Sequence, residues 1–120
     1  VAELNPVLFL KLAKELADGT AEDVKLRTAV SRAYYACFLV ARDKTGVNPF
    51  ENSIHTTVIK ELKKRRSYWA TASQLDTMRR LRTVADYEML PLKPGDRDWK
   101  RNWLTVSQLA TKVLPYLDAW

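Results

Sequence analysis

Cysteine, histidine and glycine are scarce in this chain: one Cys, one His and three Gly among 120 residues. The lone Cys37 has no intrachain disulfide partner, and Cys37 with His55 cannot supply the four protein ligands of a closed structural zinc site. No glycine-rich phosphate loop, paired-carboxylate metal motif or Ser-His-Asp order is discernible, so neither a metal nor a cofactor is expected. Long apolar runs are missing too. The longest, Ala33 to Ala41, falls far short of the ~20 residues that cross a bilayer. Glu3 stands where a signal peptide has its basic start. These absences predict a soluble protein with no membrane contact, in a reducing, cytoplasmic setting.

What is present is a core-forming share of apolar residues, 47%, with 28% charged. At this length they predict one domain over residues 1–120, able to bury a core without covalent staples. The net charge is +6. It is uneven: +1 over residues 1–50, +3 over 51–90 and +2 over 91–120. An excess of cations in the second half can attract a polyanion such as RNA through counterion release, or serve solubility alone.

Helical spacing dominates. Asn5-Pro6 caps a first helix with apolar positions Phe9, Leu12, Ala13 and Leu16, ended by Asp18-Gly19. Thr20 is the N-cap candidate for a long second helix, uninterrupted until Gly46, whose wide apolar arc includes Leu26, Ala29, Val30, Ala33, Tyr34, Cys37 and Ala41. Ser53 is expected to cap a third helix with Ile54, Val58, Ile59 and Leu62 on one face and Lys60, Lys63 and Lys64 on the other. Thr71 with Gln74 reads as a capping box for a fourth, with apolar positions Leu75, Met78, Leu81, Ala85 and Met89, ended by Pro91 and Pro94-Gly95. Asp96 or Asp98 opens a fifth, whose stripe runs from Trp99 through Trp103, Val106, Ala110 and Val113 to Leu117. No segment shows strand period. The expected fold is all-α: an up-and-down bundle of four to five antiparallel helices with the second helix central.

Three polar residues break the apolar pattern. His55 falls on the inner face of the third helix, as a structural hydrogen-bonding group or as the chain's one ordinary acid–base group near neutral pH. Arg82 lies inside the stripe of the fourth helix, between Arg79 one turn earlier and Asp86 one turn later; Asp86 can pair with it structurally, or hold it towards an incoming phosphate. Arg32 edges the central helix with its stem over apolar neighbours, and Asp86 is one conceivable partner. Of Tyr34 and Tyr35, one belongs to the core and the other reaches a ligand or a dimer contact. Trp99 and Trp103 read as core residues, and the cluster Lys60, Lys63, Lys64, Arg65, Arg66 reads either as a solvated helix face or as an RNA-backbone contact.

The run Arg27-Thr28-Ala29-Val30-Ser31-Arg32-Ala33-Tyr34-Tyr35-Ala36-Cys37-Phe38, then His55, then Leu81-Arg82-Thr83-Val84-Ala85-Asp86-Tyr87, resembles the HEPN domain family of prokaryotes. The closer resemblance is to the branch with Ser-Arg-Ala-Tyr-Tyr-Ala and Arg-x-x-Ala-Asp-Tyr helices. It implies a helical bundle, commonly a homodimer, often paired with a minimal nucleotidyltransferase in toxin–antitoxin or defence systems. Several branches are metal-independent ribonucleases using an Arg with a His four to six residues later. Here those positions hold Asp86, Tyr87 and Glu88, which departs from that pattern. Three functions follow as expectations. The first is a binding or regulatory module for RNA, a nucleotide or a nucleotidyltransferase, using Arg32, Tyr35, Arg79, Arg82, Asp86 and Tyr87. The second is an endoribonuclease with His55 and Arg82 as catalytic residues. The third is a non-enzymatic structural dimer.

Overall fold

The computed structural model describes residues 5–88 and 98–120. Five helices follow in order: α1 (Val7–Ala17), α2 (Asp23–Thr45), α3 (Ile54–Lys63), α4 (Trp69–Tyr87) and α5 (Trp99–Asp118), with a single 3-10 turn, Arg66–Tyr68, between α3 and α4. They form an all-α, up-and-down bundle, and among the described residues there is no strand. None of the helices there is long and apolar enough to cross a membrane. Met89, Pro91, Pro94, Gly95 and Asp96, assigned to the end of the fourth helix and the start of the fifth, lie outside the described residues.

Helix α2, about 34 Å long by helical rise, touches each of the other four helices. Its wide apolar arc explains this. Leu26, Ala29, Val30, Ala33, Tyr34, Ala36, Cys37, Phe38 and Ala41 are all buried, and the alanines let neighbouring backbones approach closely. Burial pushes the Cys37 thiol up to about 12, which leaves it unreactive at neutral pH. The helix stops where Gly46 takes a left-handed backbone (φ 72°) and its N–H returns to the carbonyls of Arg42 and Asp43.

The predicted stripes of α3, α4 and α5 face inward: Val58, Ile59 and Leu62; Leu75, Met78 and Ala85; Trp99, Val106, Ala110, Val113 and Leu117. Helix α5 continues through Pro115 to Asp118. In α1 the face is rotated from the expected one. Leu10 and Ala13 are buried while Leu12 is exposed, so the contact with α2 follows the Leu10–Ala13 ridge.

The caps divide. Asn5 Oδ1 accepts the Val7 N–H at 3.1 Å and Asp98 Oδ1 accepts the Arg101 N–H at 3.0 Å, as their positions predict. Thr20 instead closes a small turn by accepting the Glu22 N–H, and α2 starts after an extended Glu22. Ser53 has a left-handed backbone (φ 56°) and no capping side-chain bond. Thr71 is buried inside α4, which begins two residues earlier because the 3-10 turn feeds straight into it.

Candidate functional site

Ser31, Tyr34, Tyr35 and Phe38 of α2 meet the first turn of α3 and the last turns of α4. Tyr34 is fully buried, and two charge-bearing groups converge on it. Its hydroxyl oxygen lies 2.6 Å from His55 Nδ1. Its ring centre lies 5.5 Å from the guanidinium carbon of Arg82. An imidazole from α3 and a guanidinium from α4 therefore share one tyrosine. Phe38 packs on the imidazole with ring centres 4.2 Å apart. Half-buried Tyr35 completes the wall, 6.3 Å from the imidazole centre and 5.5 Å from the Arg82 guanidinium.

Arg82 is 8% exposed, the only buried charged residue among the described residues. Its ion pair with Asp86 is long, 3.6 Å from Nη1 to Oδ2, where a charge-assisted hydrogen bond spans roughly 2.7–2.9 Å. Asp86 Oδ2 also accepts the Ser31 hydroxyl at 3.2 Å. The Arg82 Nε–H is buried with no hydrogen-bond partner. Such an orphaned donor costs on the order of 1–3 kcal/mol, so this guanidinium is held without full satisfaction.

Arg79, one turn away, gives Nε and Nη2 to Asp76 Oδ1, both at 3.0 Å, while Arg80 takes the other carboxylate oxygen at 2.8 Å. Two cations on one carboxylate leave positive charge beside the Tyr34 cluster. His55 registers it: burial first, then Arg82 and Arg79, push its pKa below the ordinary 6.5, so the imidazole is neutral at pH 7. Burial raises the Tyr34 phenol far above its ordinary range, against the opposing pull of Arg82 and Arg79. With both groups neutral, the 2.6 Å contact is one hydrogen bond whose direction follows the imidazole tautomer: the phenol O–H donates to Nδ1 when the ring proton sits on Nε2, and the phenol oxygen accepts when it sits on Nδ1. In the first tautomer His55 is an N–H donor at Nε2. Together with two guanidinium groups and aromatic walls, this arrangement suits an anion; removing a proton with Nε2 would require the opposite tautomer.

Of the residues singled out in the sequence, the fold brings together His55, Arg82, Asp86 and Tyr35. Arg32 reaches the rim through Tyr35, its guanidinium carbon 5.9 Å from that ring and equally far from Phe9. It does not pair with Asp86, which is engaged by Arg82 and Ser31. Arg79 acts on the site by charge while bonded to Asp76. Tyr87, the last residue of α4, is 71% exposed and stands outside the ring cluster.

Phe38, Ser31 and Asp76 escaped sequence reading as site residues, and of Tyr34 and Tyr35, left open there, both join the cluster. Ser31, Tyr34 and Phe38 recur at three- and four-residue spacing, a polar–aromatic ridge within the apolar arc of α2, and that was the available signal. An open cleft of about 530 Å³ lies elsewhere, between the start of α1 and the ends of α2 and α5, lined by Pro6, Leu39, Arg42, Lys44 and Asp118 among others. None of the ring cluster lines it. Among the described residues, no group of three or more His, Cys, Asp or Glu could hold a metal ion. Comparison of the chain with protein-family models, curated proteins and solved structures gives no match.

Proposed function

We propose that this chain is a HEPN-like RNA- or nucleotide-binding module in which Arg82, with Arg79, His55 and Tyr35, accepts a phosphate group. In this reading it works as the regulatory partner of a minimal nucleotidyltransferase in a toxin–antitoxin or defence pair. One observation carries the phosphate part: a guanidinium buried with its Nε unpartnered and its single carboxylate at 3.6 Å. An anion offering short, charge-assisted bonds would compete well against so long a contact. The family part is supported by the meeting of its two motifs. Ser31 and Tyr34 of the first touch Asp86 and Arg82 of the second.

The test is titration of the pure protein with a fluorescently labelled oligouridylate and with adenosine monophosphate at two salt concentrations. Binding weakens with salt, and Arg82→Met lowers affinity about tenfold, the equivalent of ~1.4 kcal/mol, while the far-ultraviolet helix signal persists. Unchanged affinity in a folded Arg82→Met protein would falsify the phosphate reading. A pull-down from native cells that recovers a nucleotidyltransferase-like protein supports the paired role.

A second reading, metal-independent endoribonuclease activity, draws on the shared contact of His55 and Arg82 with Tyr34. It requires His55 to take a ribose 2′-hydroxyl proton while Arg82 stabilises the phosphorane charge. That base role needs the tautomer with the ring proton on Nδ1, whereas the orphaned Arg82 Nε supports anion binding in either tautomer, so binding is the better-supported function. Incubation with mixed RNA in chelator separates the two: cleavage that His55→Ala abolishes establishes the enzyme, and intact RNA leaves the binding module.

A further inference from the structure

The opposite end of the α3–α4 pair carries a different chemistry. Lys60, Lys63, Lys64, Arg65 and Arg66 are all exposed, and no acidic residue occurs between Leu62 and Leu75. Among the described residues, the one ion pair of these five cations is Lys64 with Glu61, at 2.6 Å. Two tryptophans stand beside them, Trp69 exposed and Trp120 half-buried. Trp69 is 55% exposed, yet its position is fixed, because its indole N–H donates to the Lys63 carbonyl at 2.8 Å. The Arg66 guanidinium carbon lies 5.5 Å from the Trp69 ring. The Arg65 guanidinium carbon lies 3.5 Å from the centre of the Trp120 ring, which Tyr68 meets edge-on. Five cations exceed what the dipole of one helix end can use, and the tethered indole keeps most of its surface in water.

We propose that this end of the bundle, centred on Trp69 and the cations from Lys60 to Arg66, is a docking surface for single-stranded RNA. Cations neutralise the phosphates, the open face of Trp69 stacks one base, and the Arg65 plane on Trp120 offers a second shelf. A single strand is favoured over a duplex because stacking needs unpaired bases, and over an acidic peptide because a peptide leaves the indole face unused. The surface is separate from the Arg82 site: helical rise sets Lys63 about 12 Å along α3 from His55, and Trp69 about 20 Å along α4 from Arg82. It adds a second surface to the phosphate-accepting reading, and it stands if the Arg82 site binds nothing.

Anisotropy of a labelled twelve-residue oligouridylate measures it, with the same strand in duplex form and polyglutamate as competitors. Expected are quenching of tryptophan fluorescence, an affinity loss of about tenfold in Trp69→Ala with recovery in Trp69→Phe, and preference for the single strand. Lys60→Gln/Lys63→Gln replaces two exposed lysines and should flatten the salt dependence, reducing the slope of log affinity against log salt by about 1.4 for two lost phosphate contacts. It also serves as the test if Trp69→Ala does not fold. Wild-type affinity and salt slope in both variants, or equal competition by duplex or polyglutamate, overturn the proposal. Loss only in Arg82→Met assigns all binding to the Arg82 site and likewise overturns it; loss only in the Trp69 and lysine variants supports it and counts against the Arg82 site.

Discussion

The Tyr34 hydroxyl oxygen stands 2.6 Å from Nδ1 of His55, tying the chain's only histidine to the centre of α2. The bond holds the imidazole against α2, and through the same ring the histidine becomes a neighbour of Arg82. Four measurable consequences follow from this arrangement and from the contacts that hold it.

Tyr34→Phe keeps the ring against Arg82 and deletes only the hydroxyl. Nδ1 of a half-buried imidazole then loses its hydrogen-bond partner, at a cost of about 1 kcal/mol in urea unfolding. Burial, Arg82 and Arg79 lower the His55 pKa, so it stays below the ordinary value without the hydroxyl. Proton resonances of the single imidazole check this, and a pKa that returns to the ordinary value would show that the bond sets the protonation state.

Stability should depend on pH through His55. Its folded pKa is lowered from 6.5 by burial, Arg82 and Arg79. Just below 6.5 the unfolded chain therefore binds a proton that the folded chain refuses, and stability falls as pH drops through that window. Once the folded imidazole also titrates, the loss levels off. Thermal melts between pH 7.5 and 5.5 show this decline in the native chain, and His55→Gln flattens it; parallel curves for the two proteins would contradict the mechanism.

Arg82 gives opposite answers for packing and for binding. If the Arg82–Asp86 pair holds the helices together, Arg82→Met costs roughly 3–5 kcal/mol, as the loss of one partner of a buried pair does. With the pair at 3.6 Å and the Nε orphaned, the account predicts a change within about 1 kcal/mol, because an unsatisfied donor leaves together with the weak pair. Urea denaturation decides between these values.

Arg27 holds the end of α4. Its Nη1 donates to the carbonyls of Ala85 and Glu88, and its guanidinium carbon lies 4.8 Å from the Trp99 ring. Arg27→Ala should cost about 2 kcal/mol, from charge-assisted bonds to carbonyls and a cation–π contact. Amide exchange should quicken most at Glu88, whose N–H closes the last turn on Val84. Uniform acceleration along the whole chain would mean a global effect without a local clamp.

Much of this architecture was legible from apolar spacing. The wide arc of α2 announced a central helix because only a helix with several neighbours needs so much apolar circumference. His55 and Arg82 stood out because each interrupts an inward stripe. Spacing could not show that both would meet at Tyr34, since contacts across helices depend on relative rotation and depth. The same limit explains α1, where Leu12 and Leu10 exchange roles, and Arg32, whose side chain lies over rings instead of meeting Asp86. The Ser53 and Thr71 caps failed for a local reason: a left-handed residue and a 3-10 turn set those helix starts before any side chain could.

The most direct test is an imidazole titration of His55 by NMR, with and without inorganic phosphate, in the native chain and in Arg82→Met. A phosphate seated by Arg82 offsets the guanidinium charge and favours the imidazolium, so the His55 pKa rises when phosphate is present and stays put in the variant. An identical titration curve with and without phosphate in the native chain would contradict the account.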